Sequence, residues 1–209
     1  MIRVVLCDDH AVVRRGIRDT LAEAVDIQVV GEAGSYGEVR ELLRGTPCDV
    51  LVLDLNLPGR GGMEVLSSLT EAGSPVKVLV CSMYPEDQYA IRCLRAGAQG
   101  YVSKAGDPAE LVRAVRTVMQ GRKYVTPEVA QMLADSLARP QHEALHAALS
   151  ERELQTVVKI ASGKRLSDIA EELMLSPKTV SVYRTRALEK LNLANNAELT
   201  VYAIRNGLV

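Results

Sequence analysis

The chain has 209 residues, enough for one large domain or two small ones, and its 47% hydrophobic content suits a packed protein rather than a disordered one. A net charge of −1 predicts no nucleic-acid partner by itself, no apolar run approaches the length of a membrane span, and the opening MIRVVLCDDH runs straight from a strand-like stretch into two acids, unlike a signal peptide. The four cysteines show no CxxC spacing, and Cys7 and Cys81 lie inside apolar runs, so they read as small core residues of a reducing, cytoplasmic compartment rather than as metal ligands or disulfides.

The first part of the chain alternates strand and helix. IRVVLCD (2–8) predicts a buried strand, 11–24 a helix, and IQVVGEA (27–33) a second strand. Ser35-Tyr36-Gly37-Glu38 has capping-box spacing and opens a helix toward Leu43. VLVLD (50–54) is a third strand, and a helix at 62–71 follows its glycine-rich turn. VKVLVCS (76–82) is a fourth strand, and Pro85 starts a helix that ends near Gly97. GYVSK (100–104) is short and strand-like, and Asp107-Pro108 starts a helix to Gln120, stopped by Gly121. Five apolar strands alternating with five helices imply a doubly wound parallel sheet covered on both faces, an α/β domain over residues 1–122.

The character then changes. Residues 123–147 carry Pro127, Pro140, Gln141 and His142 and predict a linker, with a short helix at 127–137. Only helical patterns follow, over 148–209. One opens at the capping-box spacing of Ser150-Glu151-Arg152-Glu153 and ends at Gly163, and a short one covers 167–174. Ser176-Pro177 starts a third that runs to 191, and the last, 197–206, stops at Gly207. This is a small all-α domain of four helices. Residues 150–209 hold 9 Lys/Arg against 7 Asp/Glu, and the rest 16 against 19, so any basic surface at the C-terminal end comes from placement rather than total charge.

In open α/β sheets, ligands bind outside the carboxyl ends of the strands. Strand one ends in Asp8 and Asp9, strand three in Asp54, strand four in Ser82 and strand five in Lys104. Taken singly, Asp54 reads equally well as a turn residue, Asp8-Asp9 as a solvated turn, and Lys104 as a surface lysine. Together they put three carboxylates, a hydroxyl and an ammonium at one rim. Three carboxylates repel one another unless a cation is bound. No His or Cys joins the set, which argues against zinc, and Mg²⁺ is the natural candidate. An Asp beside Mg²⁺ accepts phosphoryl groups in aspartyl-phosphate chemistry, with the metal and Lys104 neutralising charge on the transferring oxygens.

On these residues, together with Pro58, Gly62 and Tyr101, the first ~122 residues resemble the receiver domain of bacterial two-component response regulators. The resemblance implies a flavodoxin-like fold and Asp54 as phosphoacceptor. It also implies Mg²⁺ held by Asp9, Asp54 and the backbone carbonyl of Asn56, with Asp8 acting through water. Ser82 and Tyr101 match the family's switch pair, in which the hydroxyl turns toward the phosphoryl group and the ring swings inward. Asn56 and Tyr84 occupy positions that tune dephosphorylation in the family.

In the C-terminal part, the short helix, the turn at Leu175-Ser176 and the helix from Pro177 read as helix-turn-helix. At about 100° per residue, Val180, Ala187 and Leu191 share an apolar sector with Tyr183 at its edge. Lys178, Ser181, Val182 and Thr185 lie opposite, and Arg184 and Arg186 flank them. Short polar groups ringed by cations suit a DNA major groove, although Glu189 lies on the same face and a merely solvated helix shows a similar pattern. LSERELQTVVKIASGKRLSDIAEELMLSPKTVSVYRTRALEKLNL resembles the LuxR-type four-helix DNA-binding domain, so the whole chain resembles a NarL/FixJ-class response regulator, with its C-terminal segments most similar to the subgroup of GacA, UvrY and BvgA. Many members carry Lys or Arg at 181 and His at 183. Here Ser181 and Tyr183 stand instead, which leaves Lys178, Arg184 and Arg186 as the cations and Thr179, Ser181, Val182 and Thr185 as the groove contacts.

The resemblance implies a transcription factor rather than an enzyme, one that assists only its own phosphorylation and dephosphorylation. Its implied partners are a sensor histidine kinase, double-stranded DNA bound as a homodimer, and RNA polymerase, with no membrane. Three rivals remain on sequence grounds. A haloacid-dehalogenase-type phosphatase needs an acid where Asn56 stands, and a dinucleotide enzyme needs a GxGxxG after the first strand. An atypical regulator keeps the pocket without using phosphate.

Overall fold

The computed structural model describes residues 1–138 and 145–209, which fall into two compact units divided after Ala138. In the first unit, β1 (Ile2–Cys7), β2 (Ile27–Ala33), β3 (Val50–Leu53), β4 (Lys77–Ser82) and β5 (Gly100–Ser103) form one parallel sheet in the order β2-β1-β3-β4-β5. The helices α1 (Ala11–Ala22), α2 (Tyr36–Gly45), α3 (Gly62–Glu71), α4 (Glu86–Arg95) and α5 (Pro108–Met119) connect and flank the strands. This is the flavodoxin-like order, and its switch point lies between β1 and β3. All four residues of β3 are buried, as a central strand covered on both faces requires. That explains why VLVL is a continuous apolar run instead of an alternating one.

β1, β3 and β5 end one residue earlier than the expected strands, whereas β2 and β4 end where expected, at Ala33 and Ser82. Asp8, Asp54 and Lys104 lie just past β1, β3 and β5, and β4 starts at Lys77 rather than Val76. Each of the three still donates its backbone N–H to a neighbouring strand: Asp8 to Ala33 O at 3.0 Å, Asp54 to Cys7 O at 2.8 Å and Lys104 to Ser82 O at 2.9 Å. The last ladder bonds therefore fix each residue's position at the rim. The helix starts follow their caps. Ser35 Oγ accepts from Glu38 N at 3.3 Å, although the Glu38 carboxylate returns to Gly34 N, at 2.8 Å, one residue earlier than a capping box requires. Gly62 opens α3 against the acceptor loop, where its N–H donates to Leu55 O at 2.9 Å and a Cβ would stand 2.1 Å from the Asp54 carbonyl oxygen. Only glycine fits there.

Beyond α5 the chain returns along β5, with Tyr124 bridged to Gly100. The helix expected at 127–137 forms as α6 (Pro127–Ala138), packs on α4, and belongs by its contacts to the first unit. Pro140, Gln141 and His142 of the expected linker lie outside the described residues.

The second unit has a 3₁₀ turn (Leu145–Ala148) followed by α7 (Glu151–Ala161), α8 (Leu166–Glu172), α9 (Pro177–Leu191) and α10 (Asn196–Arg205). The helix α7 packs on α9 and α10, and α8 packs on α9. Their core includes Val157, Ile169, Val180, Ala187, Leu191 and Leu199. Ser150 and Glu153 form a reciprocal capping box. Among the described residues, no helix is long and apolar enough to cross a membrane.

Candidate functional site

The rim residues of the first unit converge. Asp8 and Asp54 are each 3% exposed, and Lys104 Nζ stands 2.7 Å from Asp8 Oδ2 and 2.7 Å from Asp54 Oδ2. Burial alone lowers the Lys104 ammonium, yet Asp54 and Asp8 together hold its pKa above the ordinary value. One cation is thus shared by two buried carboxylates. Asp9 brings a third, with its side chain 8% exposed. Burial pushes the Asp9 carboxyl above its usual range, His10 opposes the push, and Asp54 and Asp8 add to it. Asp54 Oδ1 is buried and accepts no hydrogen bond from the described residues. An unmet carboxylate oxygen is costly in a buried site. Beside two further acids, it fits a cation or an incoming electrophile.

A histidine does join the acids: His10 Nδ1 lies 2.6 Å from Asp9 Oδ1, and Asp8, Asp9, His10 and Asp54 each offer a ligand atom within 4.8 Å of the others. The cause is local, since His10 is the N-cap residue of α1, and the turn into the helix carries its ring back over the strand end. The ring is 57% exposed, and three of the four donors are carboxylates, so the set still favours a hard cation. Arg14 is a further residue of the site that the sequence motifs do not single out. Its guanidinium donates to the Asp8 carbonyl and, through Nε, to Glu32 at 2.9 Å, bracing the backbone under the acids. The available signal was its position one turn into α1, facing back toward β1.

The expected switch residues flank this cluster. Ser82 ends β4, is 1% exposed, and accepts from Tyr84 N at 3.4 Å through Oγ. The Tyr101 ring points inward, also 1% exposed, and its hydroxyl donates to the Tyr84 carbonyl at 2.8 Å. Burial pushes the Tyr101 phenol well above its ordinary pKa. The Tyr84 ring stacks on Tyr89 with centroids 4.7 Å apart. Asn56 is half-buried in the loop after Asp54.

In the second unit, α9 presents Lys178, Val182, Thr185 and Arg186 to solvent, whereas Thr179, Ser181 and Arg184 are half-buried. Several of these groups have intramolecular partners. Thr179 Oγ1 lies 2.8 Å from the capping Ser176 Oγ, Thr185 Oγ1 donates to Ser181 O at 3.0 Å, and the Arg184 guanidinium donates to Asn196 at the start of α10. Among the described residues no ion pair engages Lys178 or Arg186. Leu188 joins Val180, Ala187 and Leu191 on the buried side.

Comparison with known proteins agrees with this geometry in both units. Residues 4–116 match the family described as response regulator receiver domain, and 147–203 match bacterial regulatory proteins of the luxR family. Response regulator UvrY of Escherichia coli K12 is 41% identical over 209 residues, covering 100% of this chain and 96% of that protein. Response regulator GacA of Pseudomonas aeruginosa is 40% identical over 210 residues, covering 100% and 98%. Among solved structures, RcsB of Salmonella enterica serovar Typhimurium, bound to the rprA promoter with the phosphomimetic BeF₃⁻, is similar with a TM-score of 0.65 and 25% identity over 96% of this chain and 97% of that one. A LuxR-family response regulator of Aurantimonas sp. SI85-9A1 gives 0.60 and 37% identity over 66% of this chain and 98% of that one. The chain belongs to the two-component response regulators that join a receiver domain to a LuxR-type DNA-binding domain and regulate transcription.

Proposed function

We propose that Asp54 accepts a phosphoryl group from a sensor histidine kinase and that the resulting change at the rim controls DNA binding by α9. The observation that carries this reading is the Asp54 carboxylate itself, with one oxygen on Lys104 at 2.7 Å and the other buried without a donor, among further acids. In the transfer, an Asp54 oxygen forms a bond to phosphorus as the bond to the donor nitrogen breaks. Lys104 stays beside the acceptor and offsets charge on the transferring oxygens. Asp9, Asp54 and the Asn56 carbonyl would hold Mg²⁺, with Asp8 acting through water. The metal, when bound, supplies positive charge that offsets repulsion between the acids and the incoming phosphate. The Ser82 hydroxyl then donates a hydrogen bond to a phosphoryl oxygen, and the inward Tyr101 reports the change through Tyr84.

At the other end, Lys178, Arg184 and Arg186 would meet phosphates, and Thr179, Ser181, Val182 and Thr185 would face base edges of double-stranded DNA. The RcsB relative, solved on promoter DNA with a phosphomimetic, supports this pairing of functions, as does the structure of two RcsB dimers on DNA. We read this chain as a cytoplasmic homodimer on DNA that acts on RNA polymerase, with no catalytic role beyond its own phosphorylation and dephosphorylation.

The test is intact-mass spectrometry after incubation with acetyl phosphate, with and without Mg²⁺, on wild type and Asp54→Asn. One added phosphoryl group that needs Mg²⁺ and is absent from the variant is the expected result. Persistent label in Asp54→Asn would put the acceptor elsewhere.

A further inference from the structure

The receiver match ends at residue 116 and the LuxR-type match begins at 147, so neither assigns a role to the stretch between them. Its described part is nevertheless tied to the first unit at several points. Lys123 Nζ donates to Ala98 O at 2.9 Å, and Tyr124 N donates to Gln99 O at 2.8 Å. The Tyr124 carbonyl accepts from Tyr101 N at 3.4 Å. The approach is so close that a Cβ on Gly100 would stand 2.8 Å from Tyr124 O. Thr126 Oγ1 donates to Glu86 Oε2 at 2.8 Å and accepts from Val129 N at 3.4 Å, so one hydroxyl both caps α6 and fastens it to α4. Val129, one turn on, is 2% exposed.

The elements gripped are the two that carry the switch. β5 bears Tyr101. The loop from Ser82 to α4 bears Tyr84, whose carbonyl accepts the Tyr101 hydroxyl, and Glu86 follows two residues later. With the ring inward, that hydrogen bond draws the loop to β5 and sets Glu86 where it meets Thr126. With the ring outward, the bond is lost and Glu86 is no longer set by it.

We propose that residues 123–138 are the receiver's output clamp: α6 docks on α4 through Thr126 and Glu86, and phosphorylation of Asp54 tightens this docking by holding Tyr101 inward. The proposal rests on the phosphoacceptor reading above. It also means that the α4 face is occupied by this chain's own helix, so a second copy pairing through α4 would first have to displace α6.

Hydrogen–deuterium exchange on the full chain, with and without Mg²⁺ and beryllofluoride, tests it. In wild type, amides of the acceptor loop (54–62) and of α6 should both slow, those of α6 on the order of tenfold, the scale of one hydrogen bond to a charged group. Glu86→Ala removes the acceptor but leaves the cap, so it should keep the loop response and acetyl-phosphate labelling while losing the α6 response. Thr126→Ser keeps both bonds and should behave as wild type. If the loop slows while α6 does not, or if Glu86→Ala retains the full α6 response, the clamp is refuted and the phosphoacceptor reading stands. If neither segment responds and no label forms, both are refuted.

Discussion

Replacing Lys104 by Met tests whether the rim is one electrostatic unit. The Nζ atom lies 2.7 Å from an oxygen of Asp8 and 2.7 Å from one of Asp54, and all three side chains are at most 5% exposed. Met keeps the length and apolar bulk of the lysine stem, so the loss is chiefly one of charge. Two buried carboxylates are then left facing each other. Removing one partner of a buried pair costs about 3–5 kcal/mol. In a unit of this size that corresponds to a fall in Tm of roughly 10–15 °C. The assay is thermal unfolding followed by calorimetry at pH 8 without divalent cations, repeated with Mg²⁺. The gap to wild type should narrow with Mg²⁺, because the more negative site binds the cation more tightly and gains more from mass action. A variant that melts within about 2 °C of wild type at pH 8 would refute the claim that Lys104 balances these acids.

Four further predictions rest on the same structure. Arg3 grips Asp49 with Nη2 to Oδ1 at 2.6 Å and Nε to Oδ2 at 3.0 Å, and these bonds hold the Asp49 carboxyl down to about 2. A depressed carboxylate contributes stability that is present above its unfolded value and is lost as pH falls through its folded one. Asp49→Asn should therefore cost about 1 kcal/mol at pH 7 after allowing for solvent screening, and almost nothing at pH 2, as read from urea melts. Gly62→Ala forces a Cβ against the Asp54 carbonyl, at 2.1 Å without rearrangement, and should cost more than about 3 kcal/mol and slow acetyl-phosphate labelling. Lys178→Ala and Arg186→Ala should each lower the slope of log K against log salt for DNA binding by about 1, read by fluorescence anisotropy. Arg184→Ala should in addition lower the melting temperature of the second unit, because Arg184 ties α9 to Asn196.

The first unit was legible in the sequence because buried parallel strands are written as unbroken Val, Leu and Ile runs. Crossover handedness limits them to a doubly wound sheet, and the flavodoxin-like arrangement is what the resemblance to receiver domains implies. What the runs do not show is where a strand stops. Asp8, Asp54 and Lys104 each make one last ladder bond from outside the strand, and hydrophobicity cannot separate that residue from the one before it. His10 reads from sequence as a spacer after two acids, and only the turn into α1 brings its ring onto Asp9. Arg184 reads as a phosphate-facing cation, but its partner lies on α10, and a single-helix projection carries no tertiary contact. The pattern of α6 likewise predicts a helix without saying what it packs on. That information sits in Thr126 and Glu86, 40 residues apart.

The same distribution of bonds decides which part of the site can move. Asp54 follows a strand with every residue buried, and its N–H is bonded to Cys7 O, so the carboxylate sits on a rigid support. Asp8 is braced from beneath by Arg14 and from the side by Lys104. Opposite, Ser82 Oγ and the Tyr101 hydroxyl bond the Tyr84 backbone, at 3.4 and 2.8 Å, in a loop rather than in the ladder. A phosphoryl group brings a charge of about −2 and new acceptor oxygens. Set on the fixed side, it has little to displace there, whereas on the loop side the Ser82 hydroxyl can turn toward it at the cost of its bond with Tyr84 N, about 1 kcal/mol net, while the Tyr101–Tyr84 bond is kept. In the proposed function, the response to phosphorylation of Asp54 is therefore directed away from the acids, through Tyr84, toward Glu86 and the helix docked on α4.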